Sequence, residues 1–414
     1  MSASLAVNGG QPVRTDPWPT RPQITPEEMA EYSETILASV RDGKFLNYDG
    51  EQEREYCREF GEYVGLPWVD HVSAGTTAIW IALHALDLEP FTEVVVSCLT
   101  DPGGMMPIPL LNLVPVVADT APGSFNTGAE QIEACLTPLT SAILVPHLMG
   151  EAADMVGIMQ LARERGIPVI EDCSQSHGAT LHGQMVGTFG DLSIFSTMAG
   201  KHHQSGGQGG LVCCADEETY WKVRRAADRG KPFGLPEGAS SPIASLNLNG
   251  SDQAALWGRL MLRRLPGLIA RRREIAAEVE AATRDLPLTV KPLLPGADSS
   301  HWYLMFRFHP ERATCDKQTY CEAVTAEGYF LLTSYTWAMP HRKEWFVQRH
   351  VFGSSGYPWA SPDYKGNRDW EFPCPNVDAA DAVLARGDIS ETWGEPEVAE
   401  LIAILRKVGE AFGK

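Results

Sequence analysis

The chain has 414 residues and a formal net charge of −19, from 34 Lys and Arg against 53 Asp and Glu. Its length allows a large domain with a smaller one attached, and 44% hydrophobic with 21% charged residues is the balance of a globular enzyme. The acidity argues against nucleic acid or an anionic membrane as partner, because both are held by clustered Lys and Arg. A small phosphorylated ligand remains open, since a few local donors can hold one.

Met1-Ser-Ala-Ser-Leu5 has neither the basic stretch nor the apolar run of a secretory leader. No run of roughly 18 apolar residues suggests a membrane span. The nine cysteines are scattered without a CxxC pair, the pattern of reduced thiols in a cytoplasmic protein.

In chain order, residues 1–25 are rich in Pro and Gly and read as an extended arm. Thr25-Pro-Glu-Glu28 has the form of a helix start, with a capping Thr, Pro in the first turn and acids that suit the dipole. That helix is expected to reach Arg41, and a second over 51–63 leads to a short strand at His71-Val72. Strand and helix then alternate: helix 76–86, strands 93–97, 114–118 and 142–146, helix 154–165 and strand 168–172. Such alternation implies a mostly parallel sheet covered on both faces, a large α/β domain over 26–250.

Residues 251–287 read as a long linking helix that Pro266 should kink or split. Its Arg263-Arg264 and Arg271-Arg-Arg273 read as a solvated face or intersubunit ion pairs, because Glu274, Glu278 and Glu280 follow. Residues 288–414 read as a smaller α+β domain: strand 301–308, helix 317–327, strand 329–335 and a terminal amphipathic helix over 395–412.

The chemistry concentrates around Lys201. Asp172 ends an apolar strand, where open α/β sheets present their ligands. Ser196 stands five residues before Lys201, and a glycine-rich turn with Gly209-Gly210 follows. A pyridoxal phosphate (PLP) enzyme needs these parts: a carboxylate to keep the pyridine nitrogen protonated, a lysine for the Schiff base and a hydroxyl for the phosphate. Gly75 and Thr76 add a helix start whose free N–H groups suit the same phosphate. Arg229 and Lys231 are candidate anion contacts for a carboxylate donor or a phosphorylated substrate. No metal site is expected, because adjacent His202 and His203 in an extended segment point apart.

The motifs resemble the DegT/StrS family of sugar and aminocyclitol aminotransferases, which have the fold type I architecture of aspartate aminotransferase. They are Glu171-Asp172-Cys-Ser-Gln175-Ser-His177-Gly178-Ala179, Gly187-Thr-Phe-Gly190-Asp191, Phe195-Ser196, Lys201 and Gly209-Gly210. Val7-Asn-Gly-Gly-Gln-Pro-Val-Arg14, Ser73-Ala-Gly-Thr-Thr-Ala78 and Phe372-Pro-Cys-Pro375 are similar to further landmarks, so the likeness covers nearly the whole chain.

The resemblance implies transamination from glutamate or glutamine to a nucleotide-linked keto-sugar or a keto-cyclitol, of the kind used in antibiotic biosynthesis. It also implies a homodimer with composite sites. Gln175 is then expected at the cofactor ring, His177 in a structural hydrogen bond nearby, and Asn247 at the phosphate of the neighbouring subunit. His203 stands as a further substrate candidate.

Two departures stand out. Asp101 occupies the place of the family's stacking aromatic, leaving Pro102 or another group to cover the ring. With one deletion allowed around Asn247, the family's arginine position falls on Asn249. Relatives that are sugar dehydratases or deoxygenases carry histidine in place of the lysine; Lys201 argues against that reading, though His202 stands beside it, and the two departures leave room for a non-catalytic PLP-binding regulator or partner subunit.

Overall fold

A computed structural model of the protein describes residues 4–21, 24–44 and 47–414. Parts of the expected arm, residues 1–3 and 22–23, lie outside the described residues.

Seven strands form the main sheet: β1 (Trp68–Val72), β2 (Glu93–Ser97), β3 (Val114–Ala118), β4 (Thr140–Pro146), β5 (Val169–Asp172), β6 (Leu192–Ser196) and β7 (Gly210–Cys214). Their order is β1-β7-β6-β5-β4-β2-β3. The pairs from β6 to β3 are parallel, and β7 runs antiparallel to both of its neighbours. Every residue of β2 is buried, as expected for a strand covered on both faces. Its side chains alternate between two cores: Val94 and Val96 join Ile79 and Leu83 on one face, and Val95 joins Ile143 and Ile158 on the other.

The helix Pro26–Arg41 starts as its sequence dictates. Thr25 Oγ1 accepts from Glu28 N at 3.2 Å, and Glu28 Oε2 accepts from Thr25 N at 2.8 Å. The expected break at Pro266 does not occur, for Asp252–Thr283 is one uninterrupted helix. Burial on both sides of the proline outweighs its local cost. Leu262, Leu265 and Leu268 pack on the main sheet's core, while Ile275, Ala276 and Val279 pack on a second core.

That second core belongs to an antiparallel four-stranded sheet ordered Leu288–Val290, Leu304–Phe308, Leu384–Gly387, Leu331–Leu332. The terminal helix Glu395–Phe412 covers it with Leu401, Leu405 and Val408. The strand expected to begin at His301 begins at Leu304, because His301 takes a left-handed backbone conformation (φ 47°). This frees Trp302 and Tyr303 for another role. The strand expected over 329–335 contracts to Leu331–Leu332, and Tyr335, Met339, Phe346, Trp359 and Tyr364 join the core that contains Ile79 and Val94.

Candidate active site

The carboxyl ends of β4, β5 and β6 meet the start of the Gly75–Ala85 helix around a cavity of about 220 Å³. Lys201, Asp172, Gln175, Ser196, Thr76 and Asp101 all line it. Residues spread over more than a hundred positions are thus brought together by the parallel sheet, whose carboxyl ends share one edge.

Lys201 is 7% exposed. Burial lowers its pKa from the usual lysine value, and the nearby carboxylates of Asp172 and Asp101 oppose that shift. The arm fixes its backbone: Arg21 donates to the carbonyl of Lys201 at 2.6 Å and to that of His202. The Lys201 ammonium lies 4.3 Å from the centroid of the Trp302 ring. Asp172 shows the opposite effect of the same cause. Burial raises its pKa, while a hydrogen bond from Ser174 N at 3.0 Å favours the charged form. A buried carboxylate facing a cavity suits a cationic ligand atom.

At the opposite wall no side chain caps the Gly75–Ala85 helix, so its first N–H groups are available to an anion. Space there is reserved by glycine. A Cβ on Gly75 would fall 2.6 Å from Ser196 Cβ, and one on Gly103 would fall 2.2 Å from Thr76 Oγ1. Lysine, buried carboxylate, hydroxyls and an uncapped helix start around this cavity fit pyridoxal phosphate. Gln175 is fixed by accepting from Met149 N at 3.1 Å. Asp101 accepts from Gly103 N at 2.9 Å, which holds the turn Pro102–Gly104 at the rim.

Other expected residues lie elsewhere. His203 does not line the cavity. It is buried with Nε2 3.0 Å from Gly258 O and its ring stacked on Phe60. His202 likewise faces away, 3.0 Å from Ser300 O, so of these neighbours only Lys201 lines the cavity. His177 makes no hydrogen bond to a described residue and packs against Phe195 at 5.3 Å.

Arg229, Lys231 and Asn247 do not line the cavity either. They surround Tyr48 at the surface: Lys231 Nζ is 2.8 Å from its hydroxyl, Asn249 Nδ2 is 3.1 Å away and also donates to Asn247 Oδ1 at 2.8 Å. Asp228 answers both cations, at 3.1 Å for Arg229 and 3.0 Å for Lys231. Within one chain, then, these two cations are not the cavity's anion contacts. Ser174 and Gly103 line the cavity and were missed by the sequence reading, as was Trp302, whose ring faces the Lys201 ammonium. Ser174 stands beside Asp172 in the motif itself, whereas nothing near Trp302 in sequence points to the lysine.

Fold and site together define an aminotransferase of fold type I. Residues 26–355 match the DegT/DnrJ/EryC1/StrS aminotransferase family, and the chain belongs to it. It is 33% identical over 328 residues to the L-glutamine:2-deoxy-scyllo-inosose aminotransferase of Streptomyces fradiae, covering 76% of each chain. It is 31% identical over 276 residues to the dTDP-4-dehydro-2,3,6-trideoxy-D-glucose 4-aminotransferase of Saccharopolyspora spinosa, covering 63% of this chain and 71% of that one.

Among solved structures, the aminotransferase from Psychrobacter cryohalolentis is similar with a TM-score of 0.80 and 23% identity, covering 96% of this chain and 99% of the other. NtdA from Bacillus subtilis, solved with bound cofactor PMP, has a TM-score of 0.78 at 19% identity, covering 96% and 86%. Among the described residues no helix is long and apolar enough to cross a membrane.

Proposed function

We propose that the protein moves the amino group of glutamine, or of glutamate, to a keto-cyclitol, with PLP and its amine form (PMP) as cofactor. A nucleotide-linked keto-sugar is the other acceptor class. The observation that carries this reading is the single cavity lined by Lys201, Asp172, Ser196 and the Gly75–Ala85 helix start, supported by the glutamine:cyclitol aminotransferase at 33% identity.

When bound, the cofactor supplies an electron sink for the carbanion left as the donor loses its α-proton. Asp172 would keep the pyridine nitrogen protonated. Ser196, Thr76 and the N–H groups after Gly75 would hold the phosphate, and Gln175 would face the ring. Lys201 would take the proton from the donor α-carbon and return it to the cofactor. Its buried setting favours the neutral amine that this requires.

The same reading includes a cytoplasmic homodimer, in which Asn247 of one subunit reaches the phosphate in the other. It also includes a division into the arm 1–25, the sheet domain 26–250, the linking helix 251–287 and a C-terminal domain 288–414. Residues around Tyr335–Tyr364 in that last part return to the main core.

The test is a panel of keto-cyclitols and nucleotide-linked keto-sugars incubated with glutamine labelled at its α-nitrogen. Label in an aminated cyclitol is the expected result. Label in none of the acceptors would overturn the proposal.

A further inference from the structure

The parallel pairing of β2 with β3 sets Ser97 beside Ala118, so the residues that follow, Cys98 and Asp119, leave the same carboxyl edge together. Cys98 Sγ lies 3.9 Å from Asp119 Oδ1. Asp119 also fixes a third element. Its Oδ2 accepts from Asn376 N at 2.7 Å and its Oδ1 from Val377 N at 3.1 Å, which pins the start of the helix Pro375–Val383 to β3. Cys374 directly precedes that helix, and its Sγ, Cys98 Sγ and a carboxylate oxygen of Asp119 all lie within 4.8 Å of one another. His341, on the turn Pro340–Arg342, closes the group with Nε2 3.9 Å from Cys374 Sγ.

The geometry is close to that of a tetrahedral metal centre. Zinc holds sulfur at about 2.3 Å and oxygen or nitrogen at about 2.0–2.2 Å, which sets ligand-to-ligand edges of roughly 3.5–3.8 Å. Both 3.9 Å separations are within about 0.4 Å of such an edge. The two thiols and the imidazole are buried, and Asp119 is half-buried. Three backbone N–H groups, those of Thr120, Asn376 and Val377, orient the carboxylate and leave Oδ2 a free lone pair. Ligating carboxylates are held by outer partners in the same way. His341 Nδ1 has no hydrogen-bond partner, so the Cys374 sulfur is the ring's one polar contact among the described residues. No competing hydrogen bond keeps this imidazole from a metal.

We propose that Cys98, Asp119, Cys374 and His341 bind one zinc ion. Two thiolates and an imidazole select zinc over magnesium or calcium, whose shells are built from oxygen. The thiols give up their protons on binding, and nothing is oxidised or reduced. Four protein ligands leave no open position, so the ion is structural and takes no part in amino transfer. The inference therefore stands apart from the reading of the active site. Its consequence is mechanical. Thr100 and Asp101, just after Cys98, line the cavity, while Cys374 ends the stretch from Tyr335 that returns to the main core. Zinc fastens that stretch to the cavity rim.

The experiment takes the full-length enzyme, made without a polyhistidine tag and kept reduced, and dialyses it against buffered Zn²⁺. Metal content is then measured by mass spectrometry. The wild type should hold about one zinc per chain. Cys98→Ser and Cys374→Ser should each bind at least about 10²-fold more weakly, with His341→Ala between them and the wild type. Cys321→Ser, which removes a buried thiol from the second core, should bind as the wild type does. Zinc should raise the melting temperature of the wild type and leave that of Cys374→Ser unchanged. Co²⁺ in place of Zn²⁺ should give the visible bands of a tetrahedral site with sulfur ligands.

A wild type that retains no zinc would overturn the proposal whatever the variants do. Zinc that persists at full affinity in both cysteine variants would also overturn it, by placing the metal elsewhere. A metal-free wild type that forms a Cys98–Cys374 disulfide with peroxide would overturn it in favour of a redox pair.

Discussion

Burial disfavours charge on both Lys201 and Asp172, lowering the pKa of the one and raising that of the other. A protonated pyridine nitrogen beside Asp172 would supply the cation this carboxylate lacks and hold it ionised. Asp172→Asn should then keep much of the cofactor but lower the rate of amino transfer by about 10²–10⁴-fold. Single-turnover kinetics measures this, and near-normal turnover would show that another group holds the nitrogen. These two residues were legible in the sequence because the Asp, Ser and Lys positions fall within one stretch of chain, where spacing carries information. Trp302 comes from a distant loop, and only tertiary packing brings its ring to the lysine. His203 misled for the converse reason: it neighbours Lys201 in sequence while its ring stacks on Phe60 in the core.

Among elements, the junction of β6 with the Gly75–Ala85 helix decides whether a phosphate fits. A methyl group on Gly75 would meet Ser196 Cβ at 2.6 Å, and Ser196 is 8% exposed on a central strand with no room to retreat. Gly75→Ala should therefore weaken cofactor binding by roughly tenfold or more, since overpacking of this kind costs about 1–3 kcal/mol. Equilibrium dialysis against PLP would read it, and unchanged affinity would place the phosphate elsewhere. The strands β2 to β5 were readable because they are unbroken apolar runs bounded by turns, whereas Leu192–Ser196 was not among the expected strands. The continuity of the helix through Pro266 was not, since local propensity says break and only burial on two separate cores says otherwise. Nor does any short-range pattern announce that Tyr335, Phe346 and Trp359 return to the main sheet.

For the whole molecule, buried histidines make acid a threat. Burial depresses His71 to about 3 and His203 and His301 to about 4, and pushes His177 and His202 down as well. Below 6.5, their usual value, the unfolded chain takes up protons that the folded one refuses, so their stabilising contribution is lost as pH falls. Glu53, raised to about 8, and the raised Asp70 and Asp172 act in the other direction, because the folded state holds their protons longer. The buried histidines outnumber these carboxyls, so the net effect is a loss of stability as pH falls below about 6.5. The melting temperature of the cofactor-free protein should fall between pH 6.5 and 5, and a flat profile there would refute the burial of these rings.

Assembly has its own test. Lys201→Ala and Asn247→Ala subunits, each weak alone, should regain part of the activity when mixed, because one of the two sites in the heterodimer then has both native residues. Subunit exchange without recovery, or a sedimenting monomer as the active species, would contradict the shared site.

The most direct measurement for the central claim is the visible absorption spectrum of the purified PLP-loaded protein before and after glutamine is added. If Lys201 and Asp172 perform amino transfer in this cavity, the absorption of the bound aldehyde form gives way to that of the amine form. Adding the keto acceptor then restores the first spectrum, and the Lys201→Ala protein completes neither change. A wild-type spectrum that stays constant with both glutamine and glutamate would contradict the account.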